Sequence, residues 1–274
     1  MPSIAEALRA FDLPRMELRL LLACVDATLT HARIVADPER ELDPALYARF
    51  SALAERRVQG EPLAYLLGLR EFYGRPFHVA PGVLIPRPET EHLIDAALER
   101  VGKGGADVLD LGSGSGAIAV TLALECPAWR VSAVDVSQDA LRVARRNAGD
   151  LGAVVTFLHG SWYAALPVTR QFDLIVSNPP YIARNDPHLQ QGDLRFEPRQ
   201  ALTDDGDGLS CLREIVAGAR AHLRATGWLM MEHGYDQGDA VRQLLRAHGM
   251  TEVETLADLA GHDRVTLGRS PKGG

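Results

Sequence analysis

The sequence predicts an α/β protein in which a small all-helical unit precedes a doubly wound, mostly parallel sheet of seven strands. From about Asp107 onward, apolar runs rich in β-branched residues alternate with segments whose apolar residues recur every three or four positions. This alternation is typical of parallel strands with helices on both faces. Residues 1–70 show helical periodicity alone. We therefore predict a helical bundle at 1–70, a hairpin and linker at 71–88, and the α/β domain at 89–274.

The helical unit begins with a stripe of apolar residues at helical spacing, namely Leu18, Leu21, Leu22, Val25 and Leu29. Asp37-Pro38 and Asp43-Pro44 each resemble an N-cap followed by proline at the first helical position. Gly60 and Pro62 are expected to end the helix that follows the second pair. Because no residue in this unit has nucleophile or metal-ligand spacing, we expect it to bind a protein partner.

The linker carries short apolar segments between glycines and prolines, which predict a β-hairpin. Pro86 and Pro88 fix the backbone before the next helix. Glu89 and Glu91 fall in the first turn of that helix, where the helix dipole favours carboxylates. Contact with a ligand is an equally open role for both.

The seven strands of the α/β domain are predicted at residues 107–111, 131–134, 154–158, 172–178, 228–232, 251–255 and 264–267. Ser137 is a predicted N-cap of the helix that follows the second strand. Another predicted helix carries an apolar face made of Leu212, Ile215, Val216, Ala219 and Leu223.

The composition limits the classes of function. The chain has 274 residues, 29 Lys and Arg against 36 Asp and Glu, and a formal net charge of −7. This acidic balance argues against direct binding of nucleic acid, which needs a basic surface. The three cysteines form no CxxC pair, and we find no secretion signal, no membrane-spanning run and no metal motif. We expect a cytoplasmic monomer that contacts no membrane.

The strand at 172–178 ends abruptly, because the two prolines after Asn178 have no N–H groups for a sheet. The Asn178 amide and the Pro179 carbonyl then lie at the carboxyl end of a strand, where open α/β sheets bind ligands. Together they can hold both hydrogens of a planar NH₂ group, and Tyr181 can cover its π face. The same residues would also suit a tight turn without a ligand.

A glycine loop at 112–116 follows the first strand and lets a ligand approach the backbone at a helix N-terminus. The second strand ends at Asp135, whose carboxylate can accept both hydroxyls of a bound ribose. Gly112, Gly114 and Ala117 satisfy the relaxed dinucleotide fingerprint. Both NAD enzymes and S-adenosylmethionine enzymes use this arrangement, so the loop alone does not separate them.

Two motifs favour the second class. Residues 110–116, Asp-Leu-Gly-Ser-Gly-Ser-Gly, resemble the first motif of class I methyltransferases. Residues 178–181, Asn-Pro-Pro-Tyr, resemble the motif of methyltransferases that act on planar amino or amide nitrogens. A hydride transferase would also need an acid–base residue or a nicotinamide pocket, and no strong candidate is present.

Taken together, the whole chain resembles the peptide chain release factor glutamine N5-methyltransferases, the HemK/PrmC family. Eight segments carry the resemblance: 71–74, 83–91, 110–116, 177–181, 196–198, 206–209, 232–234 and 261–265. The Ile-Pro-Arg-Pro-Glu-Thr-Glu run at 85–91 discriminates best, since general amino-group methyltransferases share only the glycine loop and Asn-Pro-Pro-Tyr.

The resemblance implies a seven-stranded class I methyltransferase sheet, S-adenosyl-L-methionine as cofactor and S-adenosyl-L-homocysteine as its product. The substrate would be the glutamine in the Gly-Gly-Gln motif of class 1 release factors, in translation termination. The helical unit would help to bind the factor.

By position, the cofactor would contact Gly112, Ser113, Gly114, Ser115, Gly116, Asp135, Trp162 and Asn178. Trp162 would lie beside the adenine, and a partly buried core indole is the alternative role for it. The catalytic residues would be Asn178, Pro179 and Tyr181. The same three residues and Pro180 would bind the glutamine.

Arg87 and Glu197 could shape the mouth of the pocket or form a structural ion pair. Three other functions remain open. They are N6-adenine methylation of nucleic acid, non-catalytic binding of cofactor or partner, and NAD-dependent dehydrogenation.

Overall fold

The structure, a computed structural model, describes residues 1–272. Its first part consists of five helices, α1 (Ile4–Ala7), α2 (Arg15–Val25), α3 (His31–Ala36), α4 (Pro44–Val58) and α5 (Leu63–Leu67). They enclose a separate apolar core whose largest fully buried members are Ile4, Leu18, Leu21, Leu22, Leu29, Ile34, Leu42 and Phe50. Within residues 1–272, no helix is both long enough and apolar enough to cross a membrane.

The two predicted Asp-Pro caps have different outcomes. Asp43 caps α4 as predicted, since its Oδ1 accepts the backbone N–H of Ala45 at 2.8 Å. The prediction for Asp37-Pro38 was wrong, because Asp37 follows the end of α3 and its N–H donates to the Arg33 carbonyl. Thr30 caps α3 instead. Pro38 then ends the helix rather than starting one, since proline disfavours α conformation in the residue before it.

Two apolar residues predicted on helices lie beyond the helix ends. Leu29 comes after α2, which ends at Val25, and it reaches the same core from a loop with 1% exposure. Leu223 follows α10 (Ser210–His222) and is the first residue of a strand. Apolar spacing reports which side chains are buried, and a buried side chain can be supplied from irregular backbone as well as from a helix.

The predicted hairpin is present, with β1 (Leu69–Phe72) antiparallel to β2 (Arg75–His78). Its first strand begins before residue 71, so the predicted division at 70/71 falls inside β1. A 3₁₀ turn (Pro88–Thr90) leads into α6 (Glu91–Val101). Glu91 accepts the Tyr73 N–H at 2.9 Å and so ties the hairpin to the start of α6.

The main sheet has seven strands, β3 (Asp107–Leu111), β4 (Arg130–Asp135), β5 (Val155–His159), β6 (Phe172–Ser177), β7 (Leu223–Glu232), β8 (Thr251–Ala257) and β9 (Asp263–Arg269). Their spatial order is β5-β4-β3-β6-β7-β9-β8. All neighbours are parallel except at β9, which pairs antiparallel with both β7 and β8. The predicted fold class, a mostly parallel seven-stranded sheet, is confirmed.

Helices cover both faces of this sheet. They are α6, α7 (Ala117–Glu125), α8 (Gln138–Leu151), α10 and α11 (Gly238–Ala247); the domain also contains the short helix α9 (Arg199–Leu202) and 3₁₀ turns at Trp162–Ala165, Pro187–Gln190 and Gly192–Phe196. One apolar core joins α6 and α7 to the sheet, and a second core joins α10 and α11 to it. Ser137 caps α8 as predicted, its hydroxyl accepting the Ala140 N–H at 3.2 Å.

The chain reverses its direction of travel across the sheet between β3 and β6. From β3 the sheet grows through β4 to β5, and the later strands are added on the other side of β3. Leu111 and Ser177 end the two strands at this point, and the Ser177 hydroxyl donates to the Leu111 carbonyl at 2.7 Å. In open α/β sheets the crevice outside such a reversal is where ligands bind.

The loop after β3 packs closely against α8 at Gly116. Its φ is +81°, and an added Cβ would lie 3.0 Å from the Ala144 Cβ on α8. Gly152 has a similar φ of +75° but nothing within 4 Å of the added Cβ. Left-handed backbone costs a non-glycine residue about 1–2 kcal/mol, and overpacking costs about 1–3 kcal/mol more.

We expect Gly116→Ala to lower the free energy of unfolding by about 2–5 kcal/mol and Gly152→Ala by about 1–2 kcal/mol, measured by urea denaturation. Equal losses in the two variants would show that contact with α8 is not what requires glycine at position 116.

Candidate active site at the carboxyl edge of the sheet

Two pockets meet outside the carboxyl ends of β3, β4 and β6. The larger pocket, about 250 Å³, is lined by Gly112, Gly114, Asp135, Trp162, Asn178 and Pro180 among others. The smaller pocket, about 50 Å³, is lined by Leu84, Arg87, Asn178, Pro179, Tyr181, Ile182, Leu194, Ala201 and Leu202. Asn178, Leu84 and Ala201 border both. A group held in one pocket is therefore next to a group held in the other.

The glycine loop forms the floor of the larger pocket. The backbone N–H groups of Gly112 and Ser113 both donate to the Val134 carbonyl, at 2.9 and 3.1 Å, which fixes the loop against β4. Of the five loop residues predicted to bind cofactor, Gly112 and Gly114 line the larger pocket.

The other three loop residues do not line either pocket. Ser113, Ser115 and Gly116 belong to the loop but are buried, and they are absent from the lining of both pockets. The Ser115 carbonyl accepts from the Asn147 side chain at 2.8 Å, and Gly116 lies against α8. Their observed contacts are structural.

Asp135 ends β4 with its carboxylate at the larger pocket. One oxygen accepts the Gly114 N–H and the other accepts the Ser137 N–H, both at 2.8 Å. Burial raises the pKa of Asp135, and these two hydrogen bonds oppose that rise. Each carboxylate oxygen can accept a further hydrogen bond. The residue is thus held in place and still has acceptor capacity for a pair of ribose hydroxyls.

Trp162 forms a wall of the larger pocket just after β5. Its backbone has a φ of +41°, which is uncommon for a residue with a side chain. A Cβ added to Gly112 would lie 3.4 Å from the indole ring, so a side chain at 112 would press against this wall. The indole is half-buried against the core on one side and borders the pocket on the other.

The Asn-Pro-Pro-Tyr segment joins the two pockets. β6 ends at Ser177, and Asn178 borders both pockets. The three predicted catalytic residues, Asn178, Pro179 and Tyr181, lie together in the smaller pocket. Pro180 lines the larger pocket together with Asn178, apart from Pro179 and Tyr181.

A chain of hydrogen bonds supports this segment from behind. The Asn178 Nδ2 donates to the Thr90 Oγ1 at 3.1 Å, and that hydroxyl donates to a Glu232 carboxylate oxygen at 2.6 Å. The Tyr181 hydroxyl donates to the other Glu232 oxygen at 3.1 Å. Burial raises the pKa of Glu232, whereas its two donors and the Arg264 guanidinium lower it.

Neither Thr90 nor Glu232 is among the site residues that the sequence predicts. Thr90 lies in the Ile-Pro-Arg-Pro-Glu-Thr-Glu run, and Glu232 opens the Glu-His-Gly segment at 232–234. Both segments carry the family resemblance, but Thr90 and Glu232 are 142 positions apart in the chain and meet only through the fold.

Arg87 and Glu197 form an ion pair beside the smaller pocket. Glu197 is buried, and its second oxygen accepts the Ile85 N–H at 3.0 Å. Arg87 also lines the smaller pocket, so the structural and pocket-shaping roles coexist. Glu89 lies outside it, in an adjoining surface cleft with Tyr181 and Arg87.

Two family models match the chain. The PrmC N-terminal domain matches residues 3–68, and the methyltransferase small domain matches residues 90–207. A release factor glutamine methyltransferase from Neisseria gonorrhoeae is 55% identical over 261 residues, covering 95% of both chains. Another, from Burkholderia pseudomallei, is 52% identical over 274 residues, covering 97% of this chain and 96% of the relative.

The chain belongs to the release factor glutamine methyltransferase family. The predicted family is thereby confirmed, and with it the methyltransferase class of enzyme. A solved methyltransferase from Pyrococcus furiosus aligns with a TM-score of 0.57 at 18% identity, covering 81% of this chain and 99% of that one. This likeness shows that the fold is shared.

One buried carboxyl in the methyltransferase domain has no partner. Asp110 is the penultimate residue of β3, close to the glycine loop, and has no exposure. Among residues 1–272, neither of its oxygens has a hydrogen-bond partner. Burial raises the pKa of Asp110 to about 8; the nearby Ala119 backbone N–H opposes this rise, and the Asp135 carboxylate adds to it. The folded protein therefore keeps Asp110 neutral through most of the range in which the unfolded chain would lose this proton.

The raised pKa predicts how stability depends on pH. An unfolded Asp titrates near pH 3.9. Between about pH 4 and pH 8 only the folded state holds the Asp110 proton, so the free energy of unfolding falls as pH rises. We expect Asp110→Asn to remove the Asp110 contribution to this decline, which amounts to about 1.4 kcal/mol per pH unit at most. Urea denaturation from pH 4 to 9 measures it.

Asp12→Asn, at an exposed site in the helical unit, serves as the matched control and should leave the decline in place. If Asp110→Asn and Asp12→Asn gave parallel curves, Asp110 would not be the group that carries the pH dependence.

Proposed function

We propose that this protein transfers a methyl group from S-adenosyl-L-methionine to the side-chain nitrogen of the Gly-Gly-Gln glutamine in class 1 release factors. The observation that carries the proposal is the meeting of the two pockets at Asn178. A donor in the larger pocket and a carboxamide in the smaller one would be in contact there. The near-full-length relatives with this name add to the support.

The larger pocket fits the cofactor by the chemistry of its lining. Gly112 and Gly114 leave backbone exposed for a close approach. Asp135 offers acceptor capacity for ribose hydroxyls, and Trp162 offers an indole surface for stacking an adenine. When bound, S-adenosyl-L-methionine supplies a methyl group that is already activated for transfer by its sulfonium.

The smaller pocket would orient the acceptor nitrogen. An amide nitrogen is a weak nucleophile, because its lone pair is delocalised into the carbonyl. The Asn178 Oδ1 and the Pro179 carbonyl would accept its two N–H bonds, aim the nitrogen toward the larger pocket and stabilise the positive charge that develops on it. The nitrogen would gain one bond to the methyl carbon as the bond between that carbon and the sulfonium sulfur breaks, which leaves S-adenosyl-L-homocysteine. It would then release one proton to solvent, so no covalent intermediate with the protein is needed.

The helical unit borders the acceptor side, as a docking role for the release factor requires. Arg57 on α4 lies 3.8 Å from Asp193, and Arg195 donates to the Gln59 carbonyl at 3.4 Å. Leu194, between these two loop residues, lines the smaller pocket. The proposal includes a helical unit (1–70), a hairpin linker (71–88) and a methyltransferase domain (89–274), although Leu69 and Arg70 already belong to the first strand of the hairpin.

Adenine in nucleic acid is the less supported substrate. A base-flipping enzyme needs a basic channel for the backbone, and the chain carries a net charge of −7. A non-catalytic protein on this fold would bind cofactor and yield no methylated product, which the following experiment distinguishes.

We expect Asn178→Ala to lower the rate of methyl transfer about 10²-fold or more, because one of the two acceptors for the amide is lost. The assay incubates the full chain with a release factor and isotopically labelled S-adenosyl-L-methionine, followed by mass spectrometry of the modified peptide. A release factor with its motif glutamine replaced by alanine should remain unlabelled.

Asn185→Ala, an exposed asparagine in the same loop, is the matched control and should retain wild-type turnover. Labelling of the alanine-substituted factor would contradict the proposed substrate. Unchanged turnover in Asn178→Ala would contradict the proposed role of Asn178.

A further inference from the structure

The hydrogen bonds behind Asn178 run in one direction, with each donor on the Asn178 side and each acceptor on the Glu232 side. Thr90 and Glu232 are 4% and 1% exposed, so water does not supply alternative partners for them. The chain runs from the Asn178 Nδ2 to the Thr90 Oγ1 and on to a Glu232 oxygen, at 3.1 and 2.6 Å. The Tyr181 hydroxyl occupies the other Glu232 oxygen at 3.1 Å. Both carboxylate oxygens thus have a donor.

This direction follows from the donors and acceptors available. Both Glu232 oxygens accept, one from Thr90 and one from Tyr181, and a threonine hydroxyl has a single hydrogen. Because Thr90 gives that hydrogen to Glu232, its oxygen can only accept from Asn178. A carboxamide carries its donor and its acceptor on opposite sides of one carbon. Once the Asn178 Nδ2 is turned toward Thr90, its Oδ1 is turned away from Thr90.

We propose that Thr90 and Glu232 are positioning residues that hold the Asn178 amide with its oxygen toward the acceptor, so that the site selects an NH₂ group over an oxygen. The proposal rests on the proposed function and deepens it. The Asn178 Oδ1 and the Pro179 carbonyl would then present two acceptors to the guest. A glutamine satisfies both with its amide hydrogens, whereas a glutamate carboxylate has no hydrogen to offer either.

A rotated Asn178 amide would reverse this preference. With the Nδ2 toward the guest, the site would hold one donor and one acceptor, and the carbonyl end of a glutamine or a glutamate carboxylate could bind. Thr90→Val keeps the shape of the side chain and removes the only hydrogen-bond partner of the Asn178 Nδ2 in residues 1–272. This variant frees the amide to rotate, which makes the selectivity of the site measurable.

The experiment compares full-length wild type, Thr90→Val and Thr90→Ser. For each protein, turnover on a release factor is measured. Calorimetry in the presence of S-adenosyl-L-homocysteine then gives the Kd for that factor and for the same factor with its motif glutamine replaced by glutamate. Thr121→Val is the matched control, since the Thr121 hydroxyl is buried and has no hydrogen-bond partner in the described chain.

We expect Thr90→Val to reduce turnover about tenfold to a hundredfold and to reduce the preference for glutamine over glutamate about tenfold. These factors correspond to the loss of a buried hydrogen bond at about 1–3 kcal/mol, with 1.4 kcal/mol per factor of ten. Affinity for S-adenosyl-L-homocysteine should change less than about twofold, since Thr90 lines neither pocket. Thr90→Ser should restore both turnover and preference, and Thr121→Val should resemble wild type.

A loss of turnover in Thr90→Val with an unchanged glutamine preference would overturn the proposal, because a purely structural role predicts that result. Unchanged turnover and preference would overturn it as well. If wild type methylates no release factor, the proposed function fails first, and that outcome is separate.

Thr90→Val leaves a Glu232 oxygen buried without a donor, which can prevent folding. The double variant Thr90→Val with Glu232→Gln removes the buried charge and keeps an acceptor for the Tyr181 hydroxyl. It should show the same tenfold loss of glutamine preference, and retention of that preference would contradict the proposal.

Discussion

The absence of N–H groups in two consecutive prolines is the constraint on which the site depends. β6 cannot continue past Ser177, because neither Pro179 nor Pro180 can donate to a neighbouring strand. The chain therefore leaves the sheet at the point where the strand order reverses, next to the glycine loop that follows β3. The Asn178 side chain and the Pro179 carbonyl, for which no N–H of the two prolines competes, therefore lie at the crevice where such a sheet binds ligands.

Buried hydrogen bonds then restrict the orientation of the Asn178 amide. The amide of Asn178 is held through Thr90 to a carboxylate on β7, and the ion pair of Arg87 with Glu197 holds the preceding segment along the smaller pocket. Leaving a buried polar group without a partner costs free energy, so each of these contacts restricts its partners more strongly than a surface contact would. The surroundings of the smaller pocket are thus built from elements that lie far apart in the chain.

Much of this arrangement could be predicted from sequence because its signals are local. The Asn-Pro-Pro run, the glycine loop and the strand periodicity each lie within about ten residues, and each appears where it was expected. The errors arise where local signals are shared by different structures. Asp37-Pro38 has the residues of a helix start but follows Thr30, which already caps a helix. The pairing of Thr90 with Glu232 has no local signal, because only the fold brings these residues together.

The most direct test of the central claim is a crystal structure of the complex with S-adenosyl-L-homocysteine and a class 1 release factor. We expect the motif glutamine to lie in the smaller pocket. Its amide nitrogen should be about 3 Å from both the Asn178 Oδ1 and the Pro179 carbonyl oxygen and should face the sulfur of S-adenosyl-L-homocysteine. A complex in which the glutamine lies elsewhere, with Leu84 and Leu194 closing the smaller pocket, would contradict it.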